Sequence, residues 1–408
     1  MGRRACAFGT LLVSLVLAGR VQAQTAGAPE VGFASIPFQF FPPGARSLAM
    51  GATFIGVADD ATAAASNPAG LIILTKPEAS LHGRLTHFSE TAAGGYTTPS
   101  VSQWSASYAS LVVPKKPFSF SAYYQEVSRI DLERSFAGLL SAPGDPQPSS
   151  IASTSRVDML LSDLGLSGAV RVGDKLSLGA TVGRRKMRLA YLAENTITGD
   201  LSFFDSASAD ASDTATVFSA GALVNPAGRL SGGLVFKRGG SFAIPYVVNF
   251  EGAINGPVSC PRAATCEAGA IQIPDTWGVG FGFRPTNNWL FSADASLIRY
   301  SQLSTTVFRR VPFDIYPPVT NELPPSEFKD VVQLNAGAER VFTGKTTVLV
   351  RAGVYHRPNF NDASGVDSGA TFATGGVGLV FGDRGQLDFA ASVSGSIAEG
   401  LASLVIRF

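Results

Sequence analysis

Charged residues are scarce in this chain of 408 residues. Asp, Glu, Lys and Arg together make up 15% of it, against about 25% in a typical soluble protein. The formal net charge is only +1, so the chain offers no general electrostatic attraction to nucleic acid or to an anionic surface. We therefore expect no nucleic-acid partner.

Long apolar runs are also missing. Beyond residue 23, no uninterrupted apolar stretch reaches the roughly 20 residues that a membrane-spanning helix requires, although 45% of the residues are hydrophobic. The apolar residues are instead dispersed by alternation with polar ones. This composition is typical of outer-membrane β-barrels.

Cysteine is scarce as well, with three residues in the chain. Cys6 lies in the N-terminal apolar run. Cys260 and Cys266 are predicted to form a disulfide that closes a small loop, because a lone pair of cysteines in an exported chain favours one. Zinc would need further ligands nearby, and the three histidines are distant in sequence. We expect no metal and no other cofactor.

The N-terminus has the pattern of a secretory signal peptide. Two arginines precede an apolar run over residues 5–18, and Val21-Gln22-Ala23 matches a small-residue cleavage site. Residues 1–23 are therefore predicted to be removed, and the mature protein to be exported. The alternative is an N-terminal anchor helix, against which the interruption at Gly19-Arg20 argues.

From Glu78 onward the chain alternates between apolar and polar residues. Clear examples lie within residues 332–339, 346–354 and 386–394, and a period of two is the signature of a β-strand. In a membrane barrel the apolar face contacts lipid and the polar face lines the lumen. The predicted fold is all-β, a transmembrane β-barrel over residues 78–408.

Two kinds of connection separate the alternating segments. Short ones contain the Gly, Pro, Asn and Asp residues that tight hairpins need, and longer polar ones lie between them. This interleaving predicts about fourteen antiparallel strands, with the short turns in the periplasm and the long loops outside. The short turns are predicted at residues 114–117, 173–174, 225–228, 285–288, 343–344 and 382–385. Longer loops are predicted near residues 89–100, 129–152, 195–212, 240–270, 303–327 and 358–369, with a brief one at 399–400.

Residues 128–140 leave two interpretations open. Their apolar groups suit a short helix at the outer surface, and the same stretch can equally be a solvated loop.

Residues 44–75 follow neither strand nor helix periodicity. They are rich in Gly and Ala, carry Asp59-Asp60 and end near Asn67-Pro68-Ala69. Small side chains would let a folded plug fit within a narrow lumen. Asn67 can cap a short helix that begins at Pro68, or the two residues can start a turn. We predict a hatch over residues 24–77; a disordered tail is the alternative, against which the apolar residues argue.

Catalytic motifs are absent from the sequence. Neither a G-x-S-x-G nor an H-E-x-x-H motif occurs, so we expect no enzymatic activity. Gly278, Gly280 and Gly282 share one strand face, which indicates close backbone packing rather than a nucleotide site.

Inward-facing charges are the remaining candidates for function. Glu339, Asp294 and Arg351 fall on the inward parity of their strands, and we assign the same orientation to Arg184 and Arg188. Such residues either form ion pairs within a polar lumen or hold a ligand carboxylate, which suits a guanidinium group. The three arginines are the predicted ligand contacts.

The N-terminal stretch and the barrel behind it resemble the bacterial long-chain fatty acid and aromatic hydrocarbon outer-membrane transporters, the FadL-type family. The resemblance implies a fourteen-stranded barrel with an N-terminal hatch in its lumen, and it makes Asp59, Asp60, Asn67, Pro68 and Ala69 the hatch motif. It is carried by Gly44–Gly51, Val57–Ala61 and Asn67–Ala69, by Pro274–Gly278 with Trp289 and Asp294, and more weakly by Arg351–Tyr355.

The resemblance also implies a function. A hydrophobic small molecule, such as a long-chain fatty acid or an aromatic compound, would be captured by the outer loops and released sideways through a gap in the wall. We would first seek that gap near Phe118–Val127. The expected setting is a monomer in the bacterial outer membrane, in contact with its lipid and lipopolysaccharide. A secretion or partner-binding accessory barrel is the alternative.

Overall fold

The computed structural model describes residues 40, 42–89, 91–93, 96–140, 149–198, 203–226, 228–244, 246–252, 258–259, 269–303, 329–358, 369–395 and 397–408. The predicted signal peptide and the predicted Cys260–Cys266 disulfide lie outside these residues. So do residues 24–39 of the predicted hatch and nearly all of the loops predicted at 303–327 and 358–369.

Most of the described chain is β-structure. The strands in chain order are β1 (Glu78–Phe88), β2 (Thr91–Ala93), β3 (Tyr96–Thr98), β4 (Val101–Lys115), β5 (Phe118–Leu140), β6 (Ser149–Val172), β7 (Leu176–Thr198), β8 (Phe203–Val224), β9 (Leu230–Lys237), β10 (Ser241–Ile244), β11 (Tyr246–Gly252), β12 (Val258–Ser259), β13 (Gly269–Gln272), β14 (Thr276–Thr286), β15 (Trp289–Ile298), β16 (Val331–Phe342), β17 (Thr347–Arg357), β18 (Ala370–Phe381), β19 (Gly385–Ser394) and β20 (Ile397–Arg407).

Fourteen of these strands, β1, β4–β9 and β14–β20, form a closed antiparallel barrel. Each pairs with its neighbours along the chain, and β20 returns to pair with β1 from Glu78 opposite Arg407 to Phe88 opposite Ile397. Closure gives every barrel strand a partner on both sides, which is what a membrane barrel requires. The predicted all-β barrel and its strand number are confirmed.

The six predicted short turns join neighbouring barrel strands at one end of the barrel, here called the turn end. The opposite end is called the loop end. The second Asn-Pro-Ala-Gly sequence lies at the turn end, where Asn225 has a φ of 50° and its carbonyl accepts the Gly228 N–H at 2.9 Å. Residues 225–228 therefore form the short hairpin turn that the sequence predicted there.

Three predicted loops are wrong: residues 399–400 lie within β20, and two further loops are wrong in extent. Residues 128–140 form neither a helix nor a loop but the second half of β5, which pairs with β6 as far as Leu140 opposite Ser149. Likewise β7 and β8 remain paired up to Ile197 opposite Phe203. Strands β5–β8 are therefore 22–24 residues long and continue past the other barrel strands at the loop end.

The extensions of β5–β8 were predicted as loops because the polarity of the inner and outer faces reverses along these strands. Near the turn end of β6, Leu164 and Leu166 point outward and are 67% and 63% exposed, as a lipid-facing surface requires. Nearer the loop end, Met159 and Leu161 point inward and are buried, while Asp158 is exposed. Polar residues on the outer face made the extension resemble a loop in the sequence.

An apolar cluster fills the loop-end part of the lumen. It includes the inner hairpin of β10 and β13, in which Ser241 pairs with Gln272, and this hairpin is tied to β8 by the Ala243 N–H donating to Asp213 Oδ2 at 2.8 Å. The buried members of the apolar cluster are Val127, Ile130, Met159, Leu161, Met187, Leu189, Tyr191, Ala209, Ala211, Phe242, Ile244, Ile271, Ile273, Ile298, Tyr300, Leu303 and Val331.

The described helices are short: α1 (Ala45–Ala49), α2 (Ala63–Ser66) and the 3₁₀ turns η1 (Pro68–Ile73) and η2 (Tyr300–Gln302). None of the helices in the described residues has the length and apolar character to cross a membrane. The first three belong to residues 42–75, here called the N-terminal segment. This segment precedes β1 and packs inside the barrel wall.

Candidate functional site

The N-terminal segment is held through its backbone by side chains from many strands. Asp294 of β15 accepts the N–H groups of Phe54 at 2.6 Å and Ile55 at 2.9 Å through the same oxygen, Oδ2. A buried backbone group left without a partner would cost about 1–3 kcal/mol, so each such bond specifies the position of the segment. Further side chains that bond its backbone are Tyr108, Ser167, Thr181, Ser231, Asn335, Thr374 and Ser403.

Wall glycines let this backbone approach the strands closely. A Cβ added at Gly280 would lie 2.5 Å from the Gly56 nitrogen, and one added at Gly337 would lie 2.1 Å from the Met50 carbonyl oxygen. Gly278 and Gly282 on the same strand face meet the side chains of the segment at 2.5–3.0 Å. The close packing predicted from the spacing of these glycines is confirmed.

Asn67 and Pro68 form a helix cap within the segment. Asn67 Oδ1 accepts the Ala69 N–H at 3.3 Å, with Pro68 in the first position of η1, which is one of the two conformations that the sequence allows. The Asn67 amide also donates to the Ile55 carbonyl at 2.9 Å. A Cβ at Gly221 of β8 would lie 2.0 Å from Asn67 Oδ1, so the motif packs directly against the wall.

Arg46 connects the N-terminal segment to the wall through paired charges. It forms ion pairs with Asp59 of the segment and with Glu339 of β16, the latter at 3.1 Å. Asp59 also accepts from Arg284 of β14 at 3.0 Å. Asp59 therefore holds two arginines from different parts of the fold.

Asp60 lies beside this group in a more buried setting. It is 3.5 Å from Arg46, and its Oδ1 accepts both the N–H and the hydroxyl of Thr62 at 2.9 and 2.6 Å. Burial raises the pKa of the Asp60 carboxyl above its usual value; Arg46 opposes this shift and the charge of Asp59 adds to it.

Arg351 extends the ion-pair network around the turn end. Its side chain is fully buried and donates to Glu339 at 2.6 Å and to Asp388 at 2.5 Å. The inward orientation predicted for Arg351, Glu339 and Asp294 is confirmed. Arg351 is thus paired with two carboxylates of the protein itself. This arrangement matches the interpretation of the lumen charges as ion pairs rather than as contacts to a ligand.

Arg184 and Arg188 do not face the lumen, and this prediction is wrong. Both are exposed on the outer face of β7, where Arg184 donates to Thr214 at 3.0 Å. The inward residue is Arg185, which pairs with Asp163 at 2.6 Å and donates to the Gly239 carbonyl at 2.8 Å. The assignment of parity on this strand was off by one residue.

The wall is interrupted between β4 and β5. Their ladder runs from Lys115 opposite Phe118 and ends at Tyr108 opposite Gln125. Beyond that point the described pairing of β4 is with β1, and β5 continues against β6 after a bulge at Val127. This gap borders Phe118–Val127, where the sequence predicted an opening. One hydrogen bond crosses it among the described residues, from Gln103 Nε2 to the Asp131 carbonyl at 2.8 Å.

The apolar cluster was missed by the sequence reasoning. Its signal was nevertheless present, because Met187, Leu189 and Tyr191 alternate with Arg188 and Ala190 and are the buried set. The prediction that the apolar face of a strand contacts lipid does not hold for this part of β7, where the apolar face is turned inward.

No metal site is evident in the described part of the chain: no group of three or more His, Cys, Asp or Glu residues there could hold a metal ion. The candidate site is the lumen itself, with the N-terminal segment at the turn end, the apolar cluster at the loop end and the gap in the wall between β4 and β5.

Comparison by sequence finds no matching family model and no similar curated protein. Comparison by structure does. The toluene transporter TbuX of Ralstonia pickettii superposes with a TM-score of 0.64 at 15% identity, covering 91% of this chain and 99% of TbuX. The chain has the FadL-type fold.

Two further structures support this assignment of the FadL-type fold. A FadL homologue of Pseudomonas aeruginosa matches with a TM-score of 0.62 at 14% identity, over 90% of this chain and 98% of the homologue. The toluene transporter TodX of P. putida matches with a TM-score of 0.61 at 14% identity, over 90% and 98%. TbuX and TodX are toluene transporters.

Proposed function

We propose that this protein is a passive outer-membrane channel for apolar small molecules. The observation that carries the proposal is the apolar cluster inside the barrel. The lumen of a membrane barrel is ordinarily polar, so an apolar interior is expected where the cargo itself is apolar. The structural neighbours include transporters of toluene, and none of the three compared structures is described as an enzyme.

The route that we propose begins at the loop end, passes the apolar cluster and leaves through the gap between β4 and β5. The N-terminal segment acts as the hatch that blocks the turn end and shifts to admit cargo to the gap. Supporting this role, the segment is bonded to the wall mainly through single hydrogen bonds and ion pairs, which can exchange without unfolding the barrel.

A reversible crosslink tests whether the hatch must move. Thr53 of the segment and Ser292 of β15 hydrogen-bond through their hydroxyl oxygens and are both buried. Replacing both by cysteine (Thr53→Cys with Ser292→Cys) places two sulfur atoms where those oxygens are in contact, close to the geometry of a disulfide. The oxidised variant should lose uptake of labelled toluene and oleate by cells, and a reductant should restore it.

The matched control links two wall strands to each other. Ser80 of β1 and Ser110 of β4 also meet through their hydroxyls, at 2.8 Å, so Ser80→Cys with Ser110→Cys adds a disulfide without tethering the segment. This control should transport normally in both redox states. Undiminished uptake by the oxidised Thr53–Ser292 variant would rule out the moving hatch.

Removing the bulge tests the sideways exit. On the turn-end side of the bulge, Gln125 faces inward opposite Asp163. On its loop-end side, Ser128 faces inward opposite Leu161. Val127 is the extra residue between them. Deleting Val127 should therefore straighten β5 while keeping both halves in their present orientation, which would let β5 pair further with β4. We expect a folded barrel with strongly reduced uptake; normal uptake would place the exit elsewhere.

The alternative of a secretion or partner-binding accessory makes a different prediction. Its recognition surface would be formed by the long connections at the loop end, so crosslinking there should capture a specific protein partner. In that case uptake of toluene and oleate would be the same in cells with and without the protein. Monomeric state and contact with lipopolysaccharide remain predictions.

A further inference from the structure

Three cations follow one another on the outer face of β7. Arg184 and Arg188 are exposed and Lys186 is half-buried, whereas Arg185 and Met187 between them face inward and are buried. Successive outward residues of a strand are roughly 7 Å apart, so the three side chains form a row roughly 13 Å long. Arg184, Lys186 and Arg188 are here called the basic row.

The basic row lies at the edge of the apolar band of the barrel wall. Leu164, Val182 and Phe218 face outward beside its turn-end side and are between 43% and 67% exposed. Leu164 pairs with Arg184, and from Leu164 to Val172 the outer face of β6 carries no polar side chain. That stretch is roughly 26 Å long, or roughly 20 Å high at a strand tilt of about 40°. Since the apolar band of a membrane barrel is about 25 Å tall, its boundary falls within the basic row.

Acidic residues mark the next level toward the loop end. Ala190 lies two residues beyond Arg188 on β7. It stands between Asp158 of β6 and Asp210 of β8, and Asp131 of β5 pairs with Asp158. All three aspartates are exposed. Because carboxylates repel other anions, an anionic group on this face is confined to the level of the basic row.

The protein does not neutralise the basic row. In the part of the chain that the structure describes, Lys186 and Arg188 form neither an ion pair nor a hydrogen bond, and Arg184 donates to the hydroxyl of Thr214 at 3.0 Å. By contrast, the inward Arg185 is paired with Asp163. The basic row therefore offers unoccupied cationic donors at the depth of the lipid head groups, and phosphate is an anion that such donors bind well.

We propose that the basic row binds the phosphate groups of a membrane lipid whose head group carries at least two of them. Three cations spread over roughly 13 Å extend beyond the reach of a single phosphate, whereas two phosphates of one head group can each contact one or two of the cations. The acyl chains would lie against Leu164, Val182 and Phe218. This site is on the outer face and off the proposed route of the cargo, so it goes beyond the channel function and gives the predicted contact with lipopolysaccharide a location.

The test compares two lipids that differ by one phosphate. Diphosphoryl and monophosphoryl lipid A with the same acyl chains are titrated into the purified full-length protein in nonionic detergent, and bound lipid is counted by native mass spectrometry. The wild type should bind the diphosphoryl form at least roughly tenfold more tightly, as expected for hydrogen bonds between charged groups. Lys186→Gln with Arg188→Gln should remove this preference.

The matched control removes two cations from the outer surface at the turn end. Arg340 and Lys345 are both exposed there, and Arg340 lies over the ring of Trp289, with Cζ 5.0 Å from the ring centroid. Arg340→Gln with Lys345→Gln should keep the preference for diphosphoryl lipid A. Lys186→Arg with Arg188→Lys keeps both charges of the basic row and should keep the preference as well.

Three results would overturn the inference. The first is equal affinity of the wild type for the two lipids, and the second is an unchanged preference in the Lys186→Gln, Arg188→Gln variant. The third is displacement of the lipid by inorganic pyrophosphate at an equal concentration, which would indicate a site for free phosphate rather than for a lipid.

Thermal unfolding of the lipid-free protein separates lipid binding from a structural role. Because the basic row is on the outer face and has no ion pair in the described residues, the Lys186→Gln, Arg188→Gln variant should keep the unfolding midpoint of the wild type; a clear fall would overturn the inference. Failure of the channel is distinguishable. Normal uptake of toluene with equal binding of the two lipids would refute the lipid site alone, whereas absent uptake with a retained preference would refute the channel alone.

Discussion

The two halves of the lumen are packed by different physical means. At the turn end, the N-terminal segment approaches glycines so closely that an added methyl group at Gly337 would overlap its backbone, and its charges are paired in a network. At the loop end, the apolar cluster contains Met159 and Met187 among aliphatic side chains from several strands. Methionine adapts its shape readily, so the loop end should tolerate changes that the turn end does not.

Breaking the buried ion-pair network should have the largest effect. Arg351→Met leaves Asp388 without its cation, whereas Glu339 keeps Arg46. We expect the free energy of unfolding to fall by about 3 kcal/mol, the lower end of the cost of breaking a buried pair, measured by urea titration of the folded barrel. Arg184→Met on the outer face is the control and should change stability by less than about 0.5 kcal/mol. Equal losses in both variants would refute a structural role for the network.

Adding a single methyl group at the turn end should come next. Gly337→Ala places a Cβ 2.1 Å from the Met50 carbonyl oxygen, and overpacking of this kind costs about 1–3 kcal/mol. The segment should become sensitive to added protease while the barrel remains folded. Gly400→Ala, where nothing lies within 4 Å of the new Cβ, should behave like the wild type. A protease-resistant Gly337→Ala variant would show that the packing is looser than described.

The same substitution made in each half tests the comparison directly. Met187→Leu in the apolar cluster should cost less than about 1.5 kcal/mol, since it nearly conserves volume, and should change the relative uptake of toluene and oleate. Met50→Leu, in the N-terminal segment between Val57 and Leu290, should cost more and leave that ratio unchanged. The opposite ranking in denaturation and uptake assays would remove the distinction between the halves.

The smallest effect is expected from Asp60→Asn. Because the folded-state pKa of Asp60 is raised, the folded protein binds this proton more tightly, and stability falls as pH rises from the unfolded pKa of about 3.9 through the folded value. Asparagine keeps the oxygen that accepts from Thr62 and carries no charge. The variant should be slightly more stable than the wild type at pH 7, and the difference should vanish below about pH 4. A destabilised variant at pH 7 would show that the carboxylate is needed by Arg46.

Local patterns in the sequence predicted the barrel and its strand number well. Alternation and turn residues act over a few residues at a time, so the six short turns could be placed without tertiary information. The spacing of Gly278, Gly280 and Gly282 likewise predicted close backbone packing. The sequence predicted less well which side chains of a strand face the lumen, because a shift of one residue reverses every side chain. On β7, for example, Arg185 faces the lumen, whereas Arg184 and Arg188 do not.

An alternating barrel preceded by a small-residue segment can be predicted from the sequence alone, because strand periodicity and hairpin chemistry are properties of neighbouring residues. What fills the barrel depends on contacts between distant parts of the chain. Arg46 meets Glu339 across 293 positions of the chain, and the inner and outer faces of β5–β8 exchange polarity where the wall continues past the ends of the other strands. The ion pair and the exchange of polarity depend on which strands become neighbours and on how far the wall extends. Closure of the barrel determines both.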